Sequence, residues 1–194
     1  GSGENFTFPH PTHSKDALIW DQWVSHEYWD RHGLPRPSPE KSPPRAKVLL
    51  KRSEKPCEKP WVTVRDALTG LPDPRNAEAA AAFANHDYRP GARSYAGHTG
   101  SVLDWPAKTL KAGVHGVPGG ENMMVDDNGA VRYFTVRECA RLQTFPDNYI
   151  FVGSWSDTVR QLGNAVPVKL AAVVANAVKT HIATCSLEEA NGHG

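Results

Sequence analysis

The chain has 194 residues, with 22 Lys+Arg against 21 Asp+Glu, 39% apolar and 22% charged residues, and a formal net charge of +1. That length suits one or two domains, and the composition excludes a highly charged disordered chain while leaving room for a modest core. No run approaches the ~18 apolar residues of a membrane span. No leader peptide is expected. Three cysteines (Cys57, Cys139, Cys185) make a disulfide framework unexpected and a reducing, cytoplasmic setting the default.

Gly1, Ser2 and Gly3 read as a tag remnant. Residues 4–14, punctuated by Pro9 and Pro11, read as extended coil. Leu18, Trp20, Trp23, Val24 and Tyr28 sit near helical spacing and predict a helix from Asp16 to His32, ended by Gly33 and Pro35. Residues 35–60 are rich in proline and read as a loop around Val48, Leu49 and Leu50. Charge is uneven across this region: residues 1–30 carry a net −4, residues 31–65 a net +7, and the remainder −2. Such a basic stretch can neutralise phosphates. It equally suits a solvated loop, the reading preferred from charge alone.

Thr63 to Leu68 predicts a short helix stopped by Gly70 and Pro72, and Asn76 opens an alanine-rich turn or two. Residues 85–104 read as loop. Ala107 to Leu110 is expected as a strand, followed by a Gly-rich loop from Val114 to Asn122. Met123–Val125 and Val131–Phe134 flank Asp126-Asp127-Asn128-Gly129, a good hairpin turn. Thr135 and Glu138 form a capping-box pattern for a helix reaching about Gln143. Ser156 is expected to cap a second short helix, and Asn164 and Pro167 to open a third. Val166, Leu170, Val173, Val174, Ala177 and Val178 give that third helix an apolar stripe. From about Ser186 the tail is expected to fray.

Two segments form a signature: Arg137-Glu138-Cys139-Ala140-Arg141-Leu142-Gln143-Thr144-Phe145-Pro146-Asp147, and Gln161-Leu162-Gly163-Asn164-Ala165-Val166-Pro167. In order and spacing they resemble the last two conserved blocks of DNA cytosine-5 methyltransferases. The resemblance covers residues 105–180 well, and residues 6–100 are more weakly similar to the variable target-recognition region of bacterial members. It implies an α+β fold. A small, irregular, β-rich target-recognition domain over residues 4–134 would contain the basic segment 31–65. Residues 135–183 would carry the last two motifs and a C-terminal helix, ahead of a flexible tail over 184–194. Those helices would complete a Rossmann-like, S-adenosylmethionine-dependent domain supplied by another chain.

The resemblance also implies a chemistry. Such enzymes flip a cytosine from the duplex, add a cysteine thiolate to the ring, use a glutamate to aid protonation, and take the methyl from S-adenosylmethionine. Their cysteine lies in Pro-Cys-Gln, their glutamate in Glu-Asn-Val, and their cofactor loop after a first strand. None of these occurs here. Pro56-Cys57-Glu58 lacks the preceding Gly-Pro and sits in a Lys-rich stretch. Cys139 reads as a packed helix residue. Glu121-Asn122-Met123 lies in the Gly-rich loop, and Gly116 to Gly120 has no strand–turn–helix around it. No catalytic residue is therefore expected in this chain.

Recognition residues carry over by position. Thr109 matches a threonine that begins the second recognition loop. Lys108 and Lys111 can neutralise phosphates, Gly113 and Gly116 permit close backbone approach, and His115 can address a base edge. An ordinary turn between strands is the alternative for this segment. Residues 95–101 are the expected first recognition loop, with Arg93 as its phosphate or guanine contact. Arg137, Glu138, Arg141 and Gln143 are expected to organise the domain rather than touch substrate. Asn164, Ala165 and Val166 would border the S-adenosylmethionine pocket. Expected partners are double-stranded DNA and a large catalytic subunit, as in a heterodimeric split enzyme of a restriction-modification system, in a bacterial, nucleoid-associated setting; a deliberate truncation of a single longer chain fits the same residues, and the split enzyme is the preferred reading. A stand-alone, non-catalytic DNA-binding remnant is the competing class. No zinc site is expected, because His10, His13, His26 and His32 lack CxxC or HExxH companions.

Overall fold

The computed structural model describes residues 6–52, 54–110 and 122–191. Its residues fall into two units, His10–Val62 and a larger one formed by Gly1–Pro9 with Thr63–Gly194. The architecture mixes α and β with small sheets, and among the described residues no helix is long and apolar enough to cross a membrane.

In the His10–Val62 unit, β1 (His13–Ser14) pairs in parallel with β2 (Lys59–Pro60). The Ser14 hydroxyl accepts from the Ala17 amide and caps α1 (Lys15–Trp23), satisfying a helix-end donor. The helix expected from Asp16 to His32 is two helices. His26 sits at φ +64°, a left-handed conformation no helix interior accommodates, and α2 (Glu27–Arg31) starts after it. The Trp29 indole donates to the Gln22 carbonyl at 2.6 Å across this break. The expected loop over 35–60 is also corrected. It contains a short 3₁₀ turn, Pro39–Lys41, and α3 (Pro44–Arg52), which packs against α1. Pro44 takes the first helical position, where its fixed φ and missing N–H cost nothing. Leu18, Ile19, Tyr28, Trp29, Ala46 and Leu49 are buried.

In the larger unit, Thr63 and Asp66 form a capping box around α4 (Val64–Leu68), and the Asn76 side chain caps α5 (Ala77–Ala80). A three-stranded sheet follows, in the order β3 (Ser101–Val102), β4 (Met123–Val125), β5 (Val131–Tyr133). β3 runs parallel to β4, and β4 antiparallel to β5 with Met124 opposite Arg132. The expected hairpin is present: Asp126 Oδ1 accepts from the Asn128 and Ala130 amides, and Gly129 takes φ +78°. The strand expected over Ala107–Leu110 is absent. The paired segment is Ser101–Val102, reached through Gly100 at φ +80°, where a Cβ would lie 3.3 Å from the Met123 carbonyl oxygen.

Thr135 and Glu138 close the second capping box, at the start of α6 (Val136–Leu142). The next cap is Ser154 rather than Ser156. Its hydroxyl accepts from the Asp157 amide and starts α7 (Trp155–Asn164) two residues earlier than expected. α8 runs from Val168 to Asn191, so the tail expected to fray from Ser186 continues the helix. α6 packs on α4 and α7 over a core that includes Val64, Leu110, Met124, Phe134, Cys139, Phe151, Val159 and Leu162.

Leu18 is fully buried on α1. Leu18→Ala is expected to lower the protection of α1 and α3 amides in native-state hydrogen exchange by about 3 kcal/mol, the cost of a buried cavity.

Candidate cofactor-edge and DNA-recognition site

The first motif block is organised around α6, whose buried face is charged. Arg137 is fully buried. Its Nε donates to the Ala84 carbonyl at 2.9 Å, Nη1 to Pro146 at 3.2 Å and Nη2 to Tyr149 at 2.8 Å. Burial pushes its guanidinium below its ordinary value, and it stays a cation in all accessible conditions. The backbone beside it is tied in the same way. The Arg137 amide donates to the Asn85 carbonyl, and the Asn85 carboxamide both donates to and accepts from the Phe151 main chain at 2.9 Å. Asn85 holds φ +63°, a conformation asparagine tolerates better than most residues.

Glu138 does two jobs from one carboxylate. It accepts from the Thr135 amide at 2.8 Å and receives both terminal nitrogens of Arg132, at 2.7 and 2.6 Å. Both side chains are nearly inaccessible, so this is a desolvated, bidentate pair joining β5 to α6. Buried His86 bridges the same helix start, with Nδ1 2.8 Å from the Thr135 hydroxyl and Nε2 2.8 Å from the Pro72 carbonyl. Arg141 forms a bidentate pair with Asp147 and donates to the Thr69 carbonyl at 2.6 Å. The Arg141 guanidinium holds the Asp147 carboxyl below the usual carboxylate range.

Gln143 and Thr144 join the two motif blocks. Gln143 Nε2 donates to the Leu162 carbonyl at 2.7 Å, and its own carbonyl accepts from the Val168 amide at 3.0 Å. The Thr144 hydroxyl accepts from the Lys169 amide at 2.9 Å. The start of α8 is therefore capped from the first block. This corrects the expectation that Asn164 caps it: Asn164 is the last residue of α7, and Pro167 stands just before α8. Between them Ala165 is extended, at φ −76° and ψ 144°. Asn164 and Val166 are exposed. The carboxamide and the exposed apolar edge of this turn suit a ligand with both polar and apolar parts.

Arg93 is exposed in coil ahead of a tight turn. There Tyr95 and His98 exchange main-chain hydrogen bonds, at 3.2 and 2.8 Å, and their rings lie 4.5 Å apart. Lys108 and Thr109 are exposed, anchored by buried Leu110. Lys108 Nζ reaches the Thr99 hydroxyl at 3.1 Å, and its amide donates to Ser101 Oγ. The two expected recognition segments thus meet at Lys108. Lys111, Gly113, His115 and Gly116 lie outside the described residues, as do Glu121 and the rest of the Gly-rich loop up to it.

Cys139 is completely buried, and burial pushes its thiol well above the ordinary value, away from the reactive thiolate. Cys57 is exposed in the His10–Val62 unit, and Cys185 lies on α8 with Sγ 3.8 Å from His181 Nε2. No cluster of three or more His, Cys, Asp or Glu suited to a metal occurs among the described residues. Sequence reasoning missed Asn85, His86 and Arg132. Their partners are a distant main chain, a proline carbonyl and a carboxylate on the following helix, and only Arg132 has a local signal, its place on a strand six residues before Glu138. It also missed a cleft of about 170 Å³ lined by Asn85, Tyr88, Arg89, Gly153, Trp155 and Thr158, where the Arg89 guanidinium lies 5.5 Å from the Trp155 ring centre.

Residues 75–180, more than half of the chain, match the family model described as C-5 cytosine-specific DNA methylase. The chain is 34% identical over 144 residues to the Type II methyltransferase M.MthTI of Methanothermobacter thermautotrophicus, covering 61% of this chain and 43% of that protein. It is 42% identical over 78 residues to the Type II methyltransferase M.AplI of Arthrospira platensis, covering 40% and 23%. To DNA (cytosine-5)-methyltransferase 1 of Mus musculus it is 45% identical over 60 residues, covering 31% and 4%. The chain spans less than half the length of these relatives.

Arg137→Met leaves three carbonyls without their donor and is expected to cost about 4 kcal/mol in thermal or denaturant unfolding, with Arg137→Lys intermediate. Asp147, with its lowered value, contributes stability that is present above the ordinary carboxylate range and lost as pH falls through the folded-state value. In Arg141→Gln, NMR titration of Asp147 is expected to move upward to an ordinary aspartate midpoint.

Proposed function

Because the chain belongs to the family of C-5 cytosine-specific DNA methylases, we propose that it is the DNA-recognition and cofactor-pocket-completing part of a DNA cytosine-5 methyltransferase. The nucleophile, the protonating glutamate and the S-adenosylmethionine loop reside on a partner chain. The chain methylates nothing alone. Assembled, it presents a duplex whose target cytosine is turned out of the stack.

The observation that carries this reading is α8. Val168, Leu170, Val173, Val174, Val178 and Ile182 are all more than a third exposed, and they form one broad arc of the helix, opposite Lys169, Asn176 and Thr180. An apolar helix face of this breadth is ordinarily packed against another element. Contiguous exposed apolar surface of this kind marks an interaction site. The 194 residues contain neither Pro-Cys-Gln nor Glu-Asn-Val, so the residues that bear those motifs lie outside them.

Within the assembly, Asn164, Ala165 and Val166 border S-adenosylmethionine, which supplies an electrophilic methyl group when bound. The Asn164 carboxamide offers a donor and an acceptor to the cofactor's polar end, and Val166 an apolar edge. Gln143 and Thr144 hold that turn to the recognition half. Arg93, Lys108 and Thr109 meet the DNA, Lys108 as a phosphate contact. Lys111, Gly113, His115 and Gly116 continue the same contact in sequence.

Transfer of labelled methyl from S-adenosylmethionine to DNA tests the reading. Activity is expected only when this chain is mixed with a chain bearing Pro-Cys-Gln and Glu-Asn-Val. Activity from this chain alone contradicts it. In the active mixture, Asn164→Ala is expected to raise the KM for S-adenosylmethionine about tenfold, the worth of one good hydrogen bond, with DNA affinity unchanged.

A further inference from the structure

The recognition reading leaves the His10–Val62 unit without a role, and that unit lies outside the matched residues 75–180. Its third helix is unusual in charge. α3 carries Arg45, Lys47, Lys51 and Arg52 and no acidic residue. Its rotation is fixed from two sides. Ala46 and Leu49 are buried, and Arg45 is clamped by a bidentate pair with Asp16, its Nε 2.8 Å from Oδ1. Lys47 and Lys51 are therefore held on the exposed face, one turn apart.

Four cations of this unit are held in ion pairs: Arg31 with Asp21, Arg36 with Asp30, Arg45 with Asp16 and Lys55 with Glu27. Lys47 and Lys51 form no ion pair among the described residues, and Lys41 and Lys59 are likewise exposed without one. Lys51 and Arg52 lie in the last turn, where the helix dipole favours cations. The dipole does not account for Lys47. Two like charges at i and i+4 repel each other. A fixed polyanion relieves that repulsion.

We propose that the outer face of α3, centred on Lys47 and Lys51, is a sequence-independent phosphate-binding surface for duplex DNA, adding backbone affinity to the recognition residues of the larger unit. This rests on the DNA-recognition reading above. An anionic membrane fits the surface less well, because Ala46 and Leu49 are committed to the protein interior and leave only Val48 and Leu50 to enter lipid.

The test is fluorescence anisotropy of the full chain on a labelled duplex of unrelated sequence, over a range of salt concentrations. Lys47→Ala/Lys51→Ala is expected to reduce the slope of log K against log salt by about 2, one unit per lysine, and to weaken all sequences alike. Lys179→Ala, on α8, is the control and leaves the slope unchanged. Alanine is the best helix former, so circular dichroism is expected to stay constant. If the wild type binds and the double variant keeps its slope, the α3 proposal is overturned while the recognition reading stands. If the wild-type chain does not bind duplex at all, both fall. Binding to phosphatidylserine vesicles in place of duplex overturns the DNA assignment.

Discussion

A buried guanidinium must replace its water with fixed oxygen atoms, and Arg137 does so with three main-chain carbonyls, 9, 12 and 53 positions away in sequence. Removing a full charge from water costs several kcal/mol unless every donor finds a partner. That requirement fixes the chain at Ala84, Pro146 and Tyr149 together. Asn85 adds a second tie, pairing its side chain with both main-chain groups of Phe151. The loops around α6 are thus held by polar geometry at the centre of the unit. Arg132 and the neighbouring Glu138 apply the same rule, one carboxylate both capping α6 and anchoring β5.

The two motif blocks are consequently one physical object. Gln143 and Thr144 follow α6 directly, and they accept the first amide donors of α8 and hold the end of α7. A helix start normally draws on its own preceding residue for a cap. Here the cap comes from about 25 residues earlier. The Asn164–Val166 turn is therefore positioned by the block that also ties together the chain at Ala84, Pro146 and Tyr149. This coupling accounts for the occurrence of the blocks as a pair, and it gives the proposed cofactor edge a rigid support.

Local chemistry made part of this legible. The short helix after Thr63, the capping box at Thr135 and the Asp126–Gly129 turn form as their residues predict, because each closes hydrogen bonds within a few positions. Where distant contacts decide, the sequence was silent or misleading. Proline content suggested a loop over 35–60, but Pro44 sits where proline starts a helix, and Ala46 and Leu49 bury its inner face. The helix read through His26 breaks there, with Trp29 folding back on Gln22. Arg137 ties loops together as its sequence context implies, through main-chain carbonyls that carry no side-chain signal. Asn85 and His86 had no visible role for the same reason.

α8 gives the account its direction, because its residues from Val168 to Ser186 are mostly exposed although many of them are apolar. Tertiary burial, more than propensity, stabilises most protein helices. The most direct measurement is amide hydrogen exchange along α8, in this chain alone and after mixing with a polypeptide bearing the Pro-Cys-Gln and Glu-Asn-Val motifs. The account predicts weak protection alone and at least about a hundredfold slower exchange from Leu170 to Ile182 in the mixture. Equal exchange in both states would contradict the claim that α8 is completed by a catalytic partner.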